Sequence, residues 1–175
     1  MLLISQNARL LDIPFCKETV FRLNTAWVQT KEDLFYLLEN IKGDVFLDFP
    51  KGRTKPPKPV LRIGDLQEAI STFDKIKYFA LSNVESGLDV DEMRRLVSTV
   101  KLVPKIESRA GIEHIFSIIN ALKDDEKYLM LDKEDLYVDL KCHDGKFVKY
   151  IDILRSMCRE RGKELLQLQG VIFTS

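Results

Sequence analysis

Residues 101–132 read KLVPKIESRAGIEHIFSIINALKDDEKYLMLD, and this stretch decides the fold. Its first part, Lys101–Glu107, is an apolar run with charges only near its ends, as a strand covered on both faces should be. Its middle, Ile112–Leu122, places Ile115, Ile118, Ile119 and Leu122 on one face of a helix. Its last part, Tyr128–Asp132, is apolar again. Strand, helix and strand in so short a span are the mark of two parallel strands joined by a crossover helix.

The same rhythm extends in both directions. Leu2–Ser5, Val20–Trp27, Asp44–Phe49 and Tyr78–Val84 read as earlier strands, and Glu164–Gln169 as a later one, about seven in all. Helices are expected at Lys31–Ile41, behind a Thr30 cap with Leu34, Leu37, Leu38 and Ile41 inward, and at Asp65–Phe73. Val90–Val100 should turn Met93, Leu96, Val97 and Val100 inward, and Phe147–Arg161 should bury Phe147, Ile151, Leu154 and Cys158. The expected class is therefore α/β, with a (β/α) TIM-barrel-like parallel sheet that is trimmed or incomplete. Seven strands are one short of a closed barrel, and 175 residues fall below the ~250 typical of one, so an open parallel sheet stands as the alternative. Pro50–Pro59, PKGRTKPPKP, breaks the rhythm; four prolines make it a stiff loop, placed after a strand end.

Composition limits what this fold can be used for. A chain of 175 residues, 45% hydrophobic and 31% charged, suits a single domain over 1–175 with its own core and excludes a disordered chain. Lys plus Arg equal Asp plus Glu at 27 each, so no bulk field draws in nucleic acid or anionic lipid, and neither is an expected partner. No run approaches a membrane span, and MLLISQNARL lacks the pattern of a secretion signal, which makes the cytoplasm the expected address. Cys16, Cys142 and Cys158 are an odd count without CxxC spacing, so free thiols are expected. The common phosphate loops, the HExxH zinc motif and the GxSxG elbow are absent from the sequence.

Ligands of parallel α/β folds gather at the carboxyl ends of the strands, and there the polar residues concentrate. Lys105 and Glu107 are two residues apart and so share one face of their strand. Asp132, Glu134, Asp135 and Asp139 crowd the end of the next strand, where they repel one another unless a cation is present. One carboxylate from each strand end, Glu107 and Asp135, would hold a Mg²⁺ that takes its other ligands from water and substrate. A Lys–Glu pair satisfying itself, with the acids at a helix start, is the alternative reading of the same residues. Arg22 and Asn24 share a strand face, and Arg there suits a carboxylate or phosphate, or else an acid of a neighbouring strand. Asp48 precedes the basic Lys51 and Arg53 of the proline loop, so both signs of charge meet on one rim. A thiol–imidazole pair from Cys142 and His143 is disfavoured, because adjacent residues of an extended chain point apart.

Taken in order, these segments resemble the barrel domain of pyruvate kinase, within the phosphoenolpyruvate/pyruvate-binding barrel superfamily. FRLNTAW resembles the stretch with a phosphate-binding Arg and a potassium-binding Asn, and FLDFPKGRTKPP resembles the Leu-Asp-Thr-Lys-Gly-Pro motif. YFALSNVESG, KLVPKIESRAGI and LMLDKEDLYVDL resemble three later segments of that domain. The resemblance implies Glu107 and Asp135 as ligands of Mg²⁺ or Mn²⁺, and Lys105 as the cation that stabilises an enolate or transferring phosphoryl group. It further implies Arg22 on phosphate or carboxylate, Asn24 and Asp48 as K⁺ ligands, and Lys51 and Arg53 at the substrate. The implied ligand is phosphoenolpyruvate, pyruvate or a related small carboxylate or phosphorylated metabolite. The chain departs from the pattern at Ala26, Phe49, Lys133 and Glu134, and the segments resembling the nucleotide lid and the C-terminal domain are missing. Two other outcomes follow from those departures: a carbon–carbon lyase of the HpcH/HpaI or citrate-lyase kind, to which PKIES at Pro104–Ser108 is also similar, and an inactive barrel kept as an interaction module. In the second, a homo-oligomer or the terminal GVIFTS would cover the open sheet edge.

Overall fold

Thr30 begins the first helix as its sequence requires: its Oγ1 accepts the Asp33 amide at 3.0 Å, and Glu32 and Asp33 place negative charge in the first turn. That helix, α1 (Lys31–Asn40), belongs to the computed structural model of the chain, which describes residues 2–5, 19–52 and 56–167. The chain divides into two compact units that alternate along the sequence, one of Met1–Ser82 with Asp91–Val103, the other of Asn83–Val90 with Pro104–Ser175.

The first unit holds β1 (Leu2–Ser5), β2 (Thr19–Asn24), α1, β3 (Asp44–Phe49), α2 (Ile63–Thr72) and β4 (Ile76–Leu81). Its strands pair in chain order and all in parallel, β1 with β2, β2 with β3 and β3 with β4. Order without reversal is the progression of a (β/α) barrel rather than of a doubly wound sheet. Leu23, Phe46, Leu47 and Phe79 from the strands and Leu34, Leu38 and Leu66 from the helices are fully buried, each worth about 1.5–3 kcal/mol against exposure. β2 stops at Asn24 rather than Trp27 because Asn24 Oδ1 accepts the Ala26 amide and turns Thr25–Trp27 into a 3₁₀ turn. α2 starts at Ile63, two residues before the sequence places it, because Asp65 acts inside the helix and accepts the Arg62 amide at 2.8 Å.

α3 (Gly87–Leu96) and β5 (Lys101–Ile106) follow. α3 begins earlier than expected because Asp89 accepts the amides of Glu85 and Ser86. Its buried stripe is Val90, Met93 and Val97, and Leu96, expected inward, lies at the edge of that stripe and is 39% exposed.

In the second unit the residues of β5 from Pro104 on lead to α4 (Arg109–Glu113), α5 (Ile115–Asn120), β6 (Tyr128–Leu131), α6 (Lys133–Asp139), α7 (Asp144–Glu160) and β7 (Glu164–Gln167). β5 pairs with β6 and β6 with β7, again parallel and in order. The single helix expected over Ile112–Leu122 is two short ones. Ser108 Oγ caps the first through the Gly111 amide, and the break falls at His114, whose Nδ1 donates to Glu85 O at 2.9 Å. That anchor draws the segment 83–90 onto α4 and α5, and it is possible only because two glycines lie at the seam. A Cβ on Gly111 would stand 2.6 Å from Val84 O, and one on Gly87 2.7 Å from Ser117 O. α6 enters the sequence reading only as the helix start in the alternative account of the acid cluster; Asp132 is its cap. α7 buries Ile151, Leu154 and Cys158, whereas Phe147 is only half-buried against Tyr137. β7 ends at Gln167, and the expected strand residues beyond it lie outside the described residues. No helix among the described residues is long and apolar enough to cross a membrane.

Candidate metal centre

Every member of the centre belongs to the second unit. Lys105 and Glu107 are carried on one face at the end of β5, as their spacing requires, and both are buried, at 5% and 6% exposure. They meet as an ion pair, Lys105 Nζ to Glu107 Oε1 at 2.9 Å. The second oxygen, Oε2, accepts the Asn83 amide at 2.6 Å from a turn in which Asn83 has φ of 55°. The register Lys105 to Met130 and Ile106 to Leu131, with the Asp132 amide donating to Ile106 O at 3.2 Å, sets Asp132 beside Glu107.

Asp132 Oδ1 accepts the amides of Glu134 and Asp135, both at 3.2 Å, and so starts α6. The tight turn this makes brings Asp135 back toward the strand ends. Carboxylate oxygens of Glu107, Asp132 and Asp135 then lie within 4.8 Å of one another, Glu107 buried and the two aspartates half-buried. Glu134, on the same turn, is exposed. Asp139 lies at the far end of α6 and accepts the Arg109 amide at 2.7 Å.

Electrostatically, three carboxylates against one ammonium leave two formal negative charges in a small, partly desolvated space. Burial pushes the Glu107 carboxyl above its usual range, and the Asp132 charge adds to this; the Lys105 ammonium and the Asn83 amide work in the opposite direction. The donor set is hard oxygen from carboxylates alone, half-open to water, and this fits a cation such as Mg²⁺ that keeps several waters. The same set, with no thiolate or imidazole, is unsuited to zinc of the structural kind. The group of residues could therefore hold a metal ion. Of the two ligands anticipated from sequence, Glu107 and Asp135 are both in it. Asp132, which the sequence places in the acid cluster at the end of β6 but not among the two ligands, is the third member.

The remaining candidate residues lie in the first unit. Arg22 directs Nε and Nη2 at Asp48 Oδ2, Nε at 2.9 Å, which is the alternative of an Arg matched to a neighbouring strand's acid. Asn24 caps the 3₁₀ turn, and Thr25 Oγ1 donates to Asp48 O at 3.0 Å. Lys51 is exposed in the turn after β3, and Arg53 lies outside the described residues. His143 accepts the Lys146 amide as the cap of α7, which occupies the nitrogen that a thiol partner would need. Cys142 is exposed, and Cys158 is a buried thiol whose pKa burial pushes up to about 11. Cys16 lies outside the described residues.

No protein-family model matches this chain, and no curated protein matches it.

Proposed function

We propose that this chain binds a small 2-oxo acid or its enol phosphate, of the pyruvate and phosphoenolpyruvate kind, at a Mg²⁺ centre built on Glu107, Asp132 and Asp135, on a trimmed (β/α) barrel related to that of pyruvate kinase. The observation that carries the reading is the convergence of those three carboxylates within 4.8 Å at two adjoining strand ends, beside a buried lysine.

When bound, the Mg²⁺ supplies charge neutralisation to substrate oxygens. The chain's own residues do the rest. Lys105 is buried and held by Glu107, so its ammonium is fixed in place before substrate arrives, and a fixed positive charge stabilises negative charge that grows on an enol oxygen without waiting for water to reorganise. Asn83 and Lys105 hold the two oxygens of Glu107 and fix the carboxylate plane, while the α6 cap fixes Asp132. Such a site would favour proton exchange or bond cleavage next to a carbonyl, and phosphoryl transfer would further need a nucleotide positioned and water excluded.

A second reading has its own support, since both oxygens of Glu107 and one oxygen of Asp132 are already hydrogen-bonded. In it the cluster only fastens strand ends to α6 and the chain serves as an interaction module. Calorimetric titration of oxalate, a planar stand-in for the enolate, separates the two. Binding that requires Mg²⁺ and is lost in Glu107→Gln and Asp135→Asn is the expected result; no binding by folded protein leaves the fastening role.

A further inference from the structure

A cavity of about 340 Å³ opens in the second unit between the start of α4, the turn joining α6 to α7, and α7. We propose that it binds a small phosphorylated ligand carrying two or more phosphate charges, a diphosphate being the minimal example. The inference is independent of the metal centre.

The lining is strongly one-sided in charge. Arg109, Lys141, Lys146 and Lys149 face the cavity with a single acid, Asp139. Asp139 already accepts the Arg109 amide at 2.7 Å, and the Arg109 guanidinium donates to Glu113 at 2.7 Å. The three lysines belong to no ion pair among the described residues. Asp144, two residues from Lys146, accepts the Tyr137 hydroxyl at 2.7 Å, and Asp152, three residues from Lys149, pairs with Arg155. In a chain whose charges balance at 27 each, three unmatched ammoniums around one concavity are a local surplus that repels itself until an anion arrives.

The backbone points the same way. Lys146, Lys149 and Tyr150 stand at i, i+3 and i+4 on α7 and so share one face. Lys141 lies in the left-handed region with φ of 56°, in the turn after α6 that brings it to the cavity. The volume is at the lower end for small-molecule sites, which suits a diphosphate with a short organic body against Leu140 and Tyr150 and not a folded macromolecule.

The test is calorimetric titration of pyrophosphate, with inorganic phosphate and sulfate as references, in buffer containing a chelator so that the metal centre is silent. One site per chain is expected, with pyrophosphate at least about tenfold tighter than inorganic phosphate and about tenfold weaker for each of Lys146→Gln and Lys149→Gln. Arginine at the same positions should retain binding, and Glu107→Gln should leave it unchanged. Pyrophosphate binding that is no tighter than phosphate, or is unaltered in the Lys146→Gln/Lys149→Gln protein, overturns the proposal. Tighter binding of single-stranded RNA with the same lysine dependence overturns it in favour of a nucleic-acid face.

Discussion

Asp135→Asn is expected to leave the metal-free protein about as stable as wild type and to remove its response to Mg²⁺. Two carboxylates within 4.8 Å of each other repel by at least about 3.5 kcal/mol at an effective dielectric of roughly 20. Asp132 and Asp135 are half-buried, so water and salt reduce this to about 1 kcal/mol for Asp132, and the Lys105 ammonium paired with Glu107 offsets the repulsion from the other neighbour. Against that gain, Asp135 is in the first turn of α6, where its charge is worth about 0.3–1 kcal/mol to the helix. The two contributions nearly cancel, so the metal-free variant should melt within about 2 °C of wild type. Wild-type protein with Mg²⁺ at a hundredfold its Kd should gain about 2.7 kcal/mol, a rise of about 5–10 °C, and the variant almost none. Thermal melts in chelator and in Mg²⁺ read both effects. A variant that keeps the full Mg²⁺ shift refutes the claim that Asp135 is a ligand of the cation.

Mg²⁺ affinity should fall as pH falls, starting above the ordinary carboxylate range, because the proton on Glu107 competes with the metal and its pKa is raised by burial; calorimetry across pH 5–8 checks this. For the metal-free protein the sign is opposite: a carboxyl whose pKa is higher folded than unfolded adds stability below the unfolded value and loses it as pH rises through the folded one, so Glu107→Gln should flatten that part of the stability profile in urea melts. Gly111→Ala forces a methyl to within 2.6 Å of Val84 O and should cost about 1–3 kcal/mol in denaturant unfolding; an unchanged midpoint would show that the close approach has room to relax. Ser108→Ala removes the α4 cap to Gly111 and should cost about 1 kcal/mol, measured in the same way, whereas Ser108→Thr, which keeps the hydroxyl that also donates to Glu85, should restore it.

How much of this could be read from sequence depends on whether the signal was local. α1 was legible to its cap, because Thr30 and the 3.6-residue spacing of its apolar side chains act within one element. The pairing of Lys105 with Glu107 was legible too, since two residues on a strand necessarily share a face. The break at His114 was not, because it depends on a carbonyl of Glu85, remote in sequence. Nor was the part of Asp132: periodicity ended β6 there and could not show that, as the cap of α6, it would join Glu107 and Asp135 in one cluster. Arg22 was legible as a cation in an apolar strand, but its choice of Asp48 is settled by strand register, Arg22 standing two residues from the pair Asn24 to Asp48 and on the same face, which no single segment encodes.

The most direct measurement of the central claim is a Mn²⁺ titration followed by electron paramagnetic resonance, since protein-bound Mn²⁺ loses the sharp signal of the free ion. One site per chain that Mg²⁺ displaces, with affinity reduced at least tenfold in Glu107→Gln, Asp132→Asn and Asp135→Asn, is the predicted result. Mn²⁺ that stays free, or that binds equally to all four proteins, contradicts a metal centre at these three carboxylates.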